Sequence, residues 1–491
     1  MCTRAQHVST REATSPNISS NSQKGLNNAK ICGLQLLLRS EANCQTYRSE
    51  PAGSSQLKND VLATSTVPTL PIIVDLNRPL PSIEAGRADR ERHYGAAVCL
   101  AILDGEPLAK AHLDLLSGSL SPDEVAQQLW ARLGTEIADR RRGAGLAVPM
   151  SLPASGLPFS GSADPKARAL PDVTVVVATR DRPQTLVACL RTILSGTILP
   201  QRLIVVDNAP STDETAQLIT EMAHGAPRLH YVREDIPGLS RAHNAALPHV
   251  RTPLVAFTDD DVLVDDRWLE RMVKAFGDDT SVVCVTGMIA PRELETLSQQ
   301  WVEGNVIYDK GLRRMVFDAA EHRPDDPLFP YRAGAFGSGA NMGFRTSYLM
   351  DRGGFDNALG AGTIAMGGDD LAAFYDVVKN GYRLVYEPAS IVLHQHHRDY
   401  AALKRQTYGY GAGLGAHLTR CLLDDPRIVL VLLRHAPRAL RRAATVIAPP
   451  TAAGLPPYPT ELSLAQWKGL MSGPLRFIRS RRHAHRQDKG A

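Results

Sequence analysis

Three consecutive carboxylates, Asp259, Asp260 and Asp261, close the apolar run Leu254-Val-Ala-Phe-Thr258. Acids so placed repel one another unless a cation sits among them. Oxygen ligands suit Mg2+ or Mn2+, and such an ion bridges phosphate oxygens well. A solvated acidic turn has the same composition, so the neighbours must decide. A second acidic pair, Asp369 and Asp370, follows Gly367-Gly368 and opens an apolar helical pattern. The helix dipole alone favours acids there, but a carboxylate can also take a proton from a hydroxyl within hydrogen-bond reach. His394, His396 and His397 end the strand-like run Ile391-Val-Leu393. Lone histidines are more often structural, yet imidazole suits a borderline ion such as Mn2+.

The elements that must position these groups alternate. Val173 to Ala178, Leu203 to Val206, Leu229 to Val232 and the Leu254 run read as strands, separated by helical patterns over Gln184 to Leu194, from a Ser211 cap to Met222, and over Ser240 to Val250. This alternation calls for a mostly parallel sheet with right-handed crossovers. Asp181, Asp207 and the triplet then lie beyond the carboxyl ends of strands and face one crevice. The chain lacks both a Gly-x-Gly-x-x-Gly fingerprint after the first strand and a Walker loop, so phosphate must be held another way.

At 491 residues, with 55 basic and 51 acidic side chains, the chain can bury a large core and has no charge signature of a nucleic-acid binder. Its seven scattered cysteines form no Cys-x-x-Cys pair, which fits a reducing cytoplasm. No apolar run approaches the ~20 residues that span a bilayer, and the polar N-terminus lacks a signal core. Residues 1–90 read as a largely disordered segment, and 91–145 as a small α+β appendage with a hairpin at Asp104-Gly105 and a helix capped by Ser121 and Glu124. Residues 146–170 read as a linker, 171–400 as the main domain, and 401–491 as a helical extension broken by Gly409, Gly411, Gly413 and Gly415 and ending in a basic tail. That tail reads as solvated; its functional alternative is contact with an anionic membrane surface.

The ordered motifs TVVVATRDRP, LIVVDN, GLSRAHN, AFTDDD, GSGANMGFR, GGFD, GGDDL and LHQHH resemble the family 2 glycosyltransferases from about Val173 to Ala416. The resemblance implies a GT-A fold, Rossmann-like with a mostly parallel sheet flanked by helices, and a nucleotide-sugar donor. It implies that Thr179, Arg180, Asp181 and Asp207 contact the base or ribose, with Arg241 and Asn244 near the donor and Asn341 in the sugar pocket. The triplet takes the place of the family's D-x-D motif: Asp261 meets the metal, and Asp259 meets the ribose or the ion as well. Asp260 counts among the donor-site acids, although the middle residue can point elsewhere. Asp370 becomes the base, with Asp369 orienting it or the acceptor, and His394 the third metal ligand, with His396 as the alternative. The segment from Gln299 to Ala335, with Trp301, Tyr308 and Phe317, becomes an acceptor-facing region.

A Q-x-x-R-W segment is absent, Gln406-Thr-Tyr-Gly-Tyr410 standing in its place, and the acid pair is Asp-Asp rather than Glu-Asp. The expectation is therefore an inverting, non-processive enzyme using Mn2+ or Mg2+ to transfer sugar to a hydroxyl of a glycan, glycolipid or other cell-envelope molecule. It would work in the cytoplasm, at the inner face of the plasma membrane if the acceptor is lipid-linked. The rival readings are a nucleotidyltransferase that makes nucleotide-sugars and a non-catalytic nucleotide-sugar-binding assembly protein.

Overall fold

Leu254, Ala256, Val175 and Val177 point into one apolar layer, while Val255, Phe257 and Val176 point into another, so the central strands are buried on both faces. This is why their sequences are continuously apolar rather than alternating. A computed structural model describes residues 68–87, 90–160, 169–304, 310–326, 328–430, 433–434 and 455–490. Most of the 1–90 segment lies outside these residues.

The appendage comprises β1 (Thr69–Asp75), β2 (Gly86–Arg87), β3 (Arg90–His93), β4 (Ala96–Leu103), β5 (Glu106–Asp114) and α1 (Pro122–Gly143). Thr69–Asp75 falls in the stretch expected to be disordered, yet it is a strand parallel to β4. Pro71 is tolerated because β1 is an edge strand. The β4–β5 turn is the expected one, with Asp104 at φ 54° and Gly105 at φ 78°. The Ser121–Glu124 capping box is present in both directions.

The main domain runs β6 (Val173–Thr179), α2 (Pro183–Leu194), β7 (Arg202–Asn208), α3 (Glu214–Ala223), β8 (Leu229–Glu234), α4 (Leu239–Ala246), β9 (Leu254–Asp259), β10 (Val262–Val264), α5 (Trp268–Phe276) and β11 (Val282–Pro291). It continues with α6 (Leu297–Gly304), β12 (Met315–Phe317), β13 (Asn341–Arg345), α7 (Thr346–Asp351), α8 (Asp369–Lys379) and β14 (Arg383–His394). These strands form one nine-stranded sheet in the order β10-β14-β11-β13-β9-β6-β7-β8, with β12 on β14. The pairs among β6, β7, β8 and β9 are parallel, as is β11 with β14, whereas β10, β12 and β13 run antiparallel to their neighbours.

The C-terminal region corrects two expectations. Tyr400–Asp424 is one unbroken helix, α9, despite its glycines. Their purpose is close approach: a Cβ on Gly415 would lie 2.3 Å from the Leu470 carbonyl, and one on Gly411 would lie 2.0 Å from that of Gln466. The partner is α10 (Thr460–Gly490), which absorbs the stretch expected to be a solvated basic tail. Phe477 and Ala484 are buried on its inner side, and Asp488 pairs with Arg241 of α4 at 2.8 Å. No helix among the described residues is long and apolar enough to cross a membrane.

Gly415→Val should force α9 and α10 apart, costing about 1–3 kcal/mol or more of overpacking strain, read as a lower midpoint in thermal unfolding. Gly143→Ala, whose added methyl meets nothing within 4 Å, should leave the midpoint unchanged or slightly raised.

Candidate functional site

Strand register brings the acids together. Thr179 of β6 lies opposite Asp207 of β7, and Ala178 opposite Asp259 of β9, so these strand ends share one sheet edge. The chain turns at the triplet into β10, whose Val262 pairs with His394. That pairing carries the histidine to the acids: His394 Nε2 lies 3.5 Å from Asp261 Oδ1. Ligand atoms of Asp259, Asp261 and His394 all lie within 4.8 Å of one another. Asp261 Oδ1 is buried and accepts no hydrogen bond among the described residues, as a carboxylate oxygen reserved for an ion would. Burial pushes the His394 imidazole down to about 4, so it is neutral and able to donate a lone pair at physiological pH. The set fits an oxygen-preferring divalent cation that tolerates one nitrogen. His396 turns elsewhere, its Nε2 lying 3.8 Å from Glu303. Because β14 ends at His394, strand alternation no longer places the two histidines on one side.

The middle acid has a different role. Asp260 accepts from Thr179 Oγ1 at 2.7 Å and from Arg182 Nη1 at 3.0 Å, and Arg182 also reaches Asp261 Oδ2 at 3.2 Å. Burial still raises its carboxyl, with Arg182 and Thr179 opposing. Asp259 is raised well above the ordinary range, first by burial and then by Asp261, Asp260, Asp369 and Asp370. Sequence reasoning missed Arg182 in favour of Arg180, whose side chain is half exposed beside Asp181. The usable signal was the second arginine of Thr179-Arg-Asp-Arg-Pro183, at the entrance to α2.

Asp207 is fully buried: Tyr231 donates to Oδ2 at 3.0 Å, while Oδ1 has no partner among the described residues. Burial raises its carboxyl. Asp181 sits in the left-handed region at φ 55° and accepts from both the backbone N–H and the hydroxyl of Ser211, which hold its carboxyl below the usual range. Ser211 is thereby occupied as a loop tie; α3 begins at Glu214 without a side-chain cap.

Three expected donor contacts are engaged within the protein. Asn341 is buried, donating to the Met288 and Ser390 carbonyls at 2.9 and 2.8 Å and accepting from Trp268 Nε1 at 2.8 Å. Asn244 ties down Phe355 and Asn357, and Arg241 binds the end of α10. The two asparagine amides are thus used on both their oxygen and nitrogen sides, and Arg241 is engaged through Nη2. In the region read as acceptor-facing, Phe317 belongs to the core and Trp301 donates to the Pro456 carbonyl at 3.0 Å, while Tyr308 lies outside the described residues.

The Asp369–Asp370 pair opens α8 after Gly368, at φ 89°. A Cβ on Gly368 would come within 2.6 Å of the Gly413 carbonyl, so α9 supports this turn directly. Burial and then Asp370 push Asp369 up to about 7. Asp370 is also raised by burial, although the backbone N–H groups of Gly339 and Leu371 donate to its Oδ2 and Oδ1 at 2.9 and 2.8 Å. The glycine-rich loop at Gly337–Gly343 therefore holds Asp370 through the Gly339 amide.

Residues 174–352 match the model of Glycosyl transferase family 2. The chain is 28% identical over 246 residues to the pre-mycofactocin glycosyltransferase of Mycobacterium tuberculosis, covering 50% of this chain and 47% of that protein. It thus spans about half the length of that relative. A 138-residue segment is 25% identical to glycosyltransferase GlyA of Streptococcus pneumoniae, covering 28% of this chain and 20% of that protein. A mannosyltransferase from Pyrobaculum calidifontis, solved with GDP-Man and Mn2+, aligns over 64% of this chain and 87% of its own at 20% identity and a TM-score of 0.42. The matched residues begin in β6 and end just past α7, so they take in the sheet edge that carries the acidic triplet. Residues 174–352 are therefore similar to the family 2 glycosyltransferases. Asp369, Asp370 and His394 lie beyond the matched residues, and the sheet brings them to it.

Asp261→Asn should weaken Mn2+ binding at least about tenfold by calorimetry, because it neutralises the carboxylate whose buried Oδ1 has no hydrogen-bond partner among the described residues. Asp260→Asn should change it far less, since Thr179 and Arg182 already occupy that carboxylate.

Proposed function

We propose that this protein transfers a sugar from a nucleotide-sugar donor to an acceptor hydroxyl, with inversion and without processive elongation. The observation that carries this reading is the approach of two acid groups, Asp259–Asp261 with His394 and Asp369–Asp370, close enough that the second raises the first. The fit of Asp259, Asp261 and His394 to a mixed oxygen and nitrogen coordination supports Mn2+ over Mg2+. When bound, that cation would offset the charge of the departing diphosphate.

The chain's own residues do the rest. Asp370 accepts the acceptor hydroxyl's proton as the new oxygen–carbon bond forms at the anomeric carbon and the bond to the diphosphate oxygen breaks on the opposite face. Both carboxylate oxygens retain a lone pair beyond their backbone bonds, so the Gly339 and Leu371 amides aim the group without consuming it. The free Asp207 Oδ1 is suited to a ribose hydroxyl or a base N–H, held in place by Tyr231. Arg182, half exposed beside Asp260 and Asp261, supplies a positive charge at the diphosphate end of the crevice. A lipid-linked acceptor is supported by the outer face of α10, where Leu475 and Ile478 are exposed beside Arg479 and Arg482.

A nucleotidyltransferase would consume a nucleoside triphosphate and release pyrophosphate, so separate incubation with a triphosphate and with nucleotide-sugars distinguishes the two enzymes. Asp370→Asn should keep donor binding in a thermal-shift assay but lower turnover by about 10²–10⁴-fold. Full transfer activity in that variant would remove Asp370 as base.

The base acts only when ionised, so activity should fall as pH drops through the raised pKa of the Asp369–Asp370 pair. The acidic limb should lie well above the ~4 of an ordinary aspartate. Burial is the cause that raises Asp370, so Asp369→Asn should leave that limb in place, as a kcat/KM profile at saturating Mn2+ would record.

A further inference from the structure

The appendage has no chemistry in its sequence, yet its placement on the main domain is specific. One face of its sheet, through Leu100 and Ile102 of β4, packs on Met288 and Ala290 of β11 and Ile391 of β14. These are the strands that end beside the metal-site histidine. The Thr69 amide donates to the Leu294 carbonyl at 3.0 Å, extending the attachment into the segment that follows β11.

From that segment a polar path leads to the site. Lys110 of β5 lies 3.1 Å from Glu303 Oε1, and Glu303 Oε2 lies 3.8 Å from His396 Nε2. The His396 ring packs 5.4 Å from that of His394. Burial alone would raise Glu303, but the Lys110 charge and the nearby His396 imidazole outweigh it and hold the carboxyl down at about 2, so Glu303 is ionised. A second path runs from Tyr94, which donates to Glu295 Oε1 at 2.7 Å; Glu295 in turn pairs with Arg398. Gln299 donates to the His396 carbonyl at 3.2 Å. The turn from His394 to Arg398 is thus gripped at its ring and at its backbone by a segment that the appendage clamps.

We propose that the appendage is a positioning module for the metal site, in which Lys110, through Glu303 and His396, sets the orientation of His394 toward Asp261. This rests on the metal reading given above. Lys110 touches no reacting atom; it is a positioning residue, comparable to the outer-shell groups that orient metal-bound imidazoles, whose loss costs about 10–100-fold in metal affinity. An appendage that were merely tethered would need neither a half-buried cation nor a half-buried carboxylate at its seam, since such pairs give little net stability.

The test uses the full chain and Mn2+ alone, without donor or acceptor. Lys110→Met should raise the Mn2+ Kd at least about tenfold by calorimetry. The Mn2+ paramagnetic resonance spectrum should broaden toward a distribution of sites, and Lys110→Arg should restore both. Arg142→Ala, an exposed change elsewhere in the appendage, should leave both unaltered. A folded Lys110→Met protein with a lower melting midpoint and unchanged Mn2+ affinity would overturn the proposal, reducing Lys110 to a stability role. Should Lys110→Met not fold, Tyr94→Phe removes a single hydroxyl from the second path. A weaker Mn2+ affinity in that variant supports the proposal, and an unchanged one overturns it. Failure of the wild-type chain to bind Mn2+ overturns the metal reading and this proposal together, a result distinct from a defect confined to the variants.

Discussion

The mutual repulsion of carboxylates gathered at one sheet edge is the constraint on which the rest of this structure depends. Asp259, Asp260 and Asp261 meet Asp369 and Asp370 in a partly buried crevice, and burial and like charge together push Asp259 well above its ordinary range. Such a cluster is unfavourable by itself. It persists because each acid is over-determined by its surroundings: Asp260 by Thr179 and Arg182, Asp370 by two backbone amides, and Asp261 by its place between β9 and the His394-bearing end of β14. The fold thereby stores an affinity for positive charge, which Arg182 satisfies only in part and which a divalent cation would satisfy more fully.

Much of the chain outside the central sheet serves to hold that edge rigid. The glycines of α9 work in two directions: Gly413 lets the turn that launches Asp369 and Asp370 rest against the helix, while Gly411 and Gly415 admit α10. Through α10 the same support reaches Arg241, on the helix that follows β8. On the opposite flank the appendage covers β11 and β14 and grips the turn after His394. The two flanks meet the site at Asp369–Asp370 and at His394, the groups that lie beyond the matched family residues.

The buried parallel strands, the acidic triplet at their edge and the Asp369–Asp370 pair were legible in the sequence because each depends on local pattern: continuous apolar runs ending in aspartate, and glycine before an acid at a helix start. What was not legible depends on distant partners. Asn341 and Asn244 have the composition of ligand contacts, yet their amides are used by backbone groups that only tertiary folding brings near. Ser211 has a capping-box spacing with Glu214, but Asp181, in another loop, competes for its hydroxyl. The glycines of α9 read as helix breakers because nothing local announces a second helix, some fifty residues on, that needs their bare backbone. β1 sits in a polar stretch whose few apolar residues gain meaning only against β4.

A crystal structure of the full chain with Mn2+ and a nucleoside diphosphate, phased on the manganese anomalous signal, tests the central claim most directly. One anomalous peak is expected within coordinating distance of Asp261 Oδ1 and His394 Nε2, about 2.0–2.3 Å away, with diphosphate oxygens completing the shell. A peak that leaves His394 outside the coordination sphere, or that is absent from the Asp259–Asp261 edge, would contradict it.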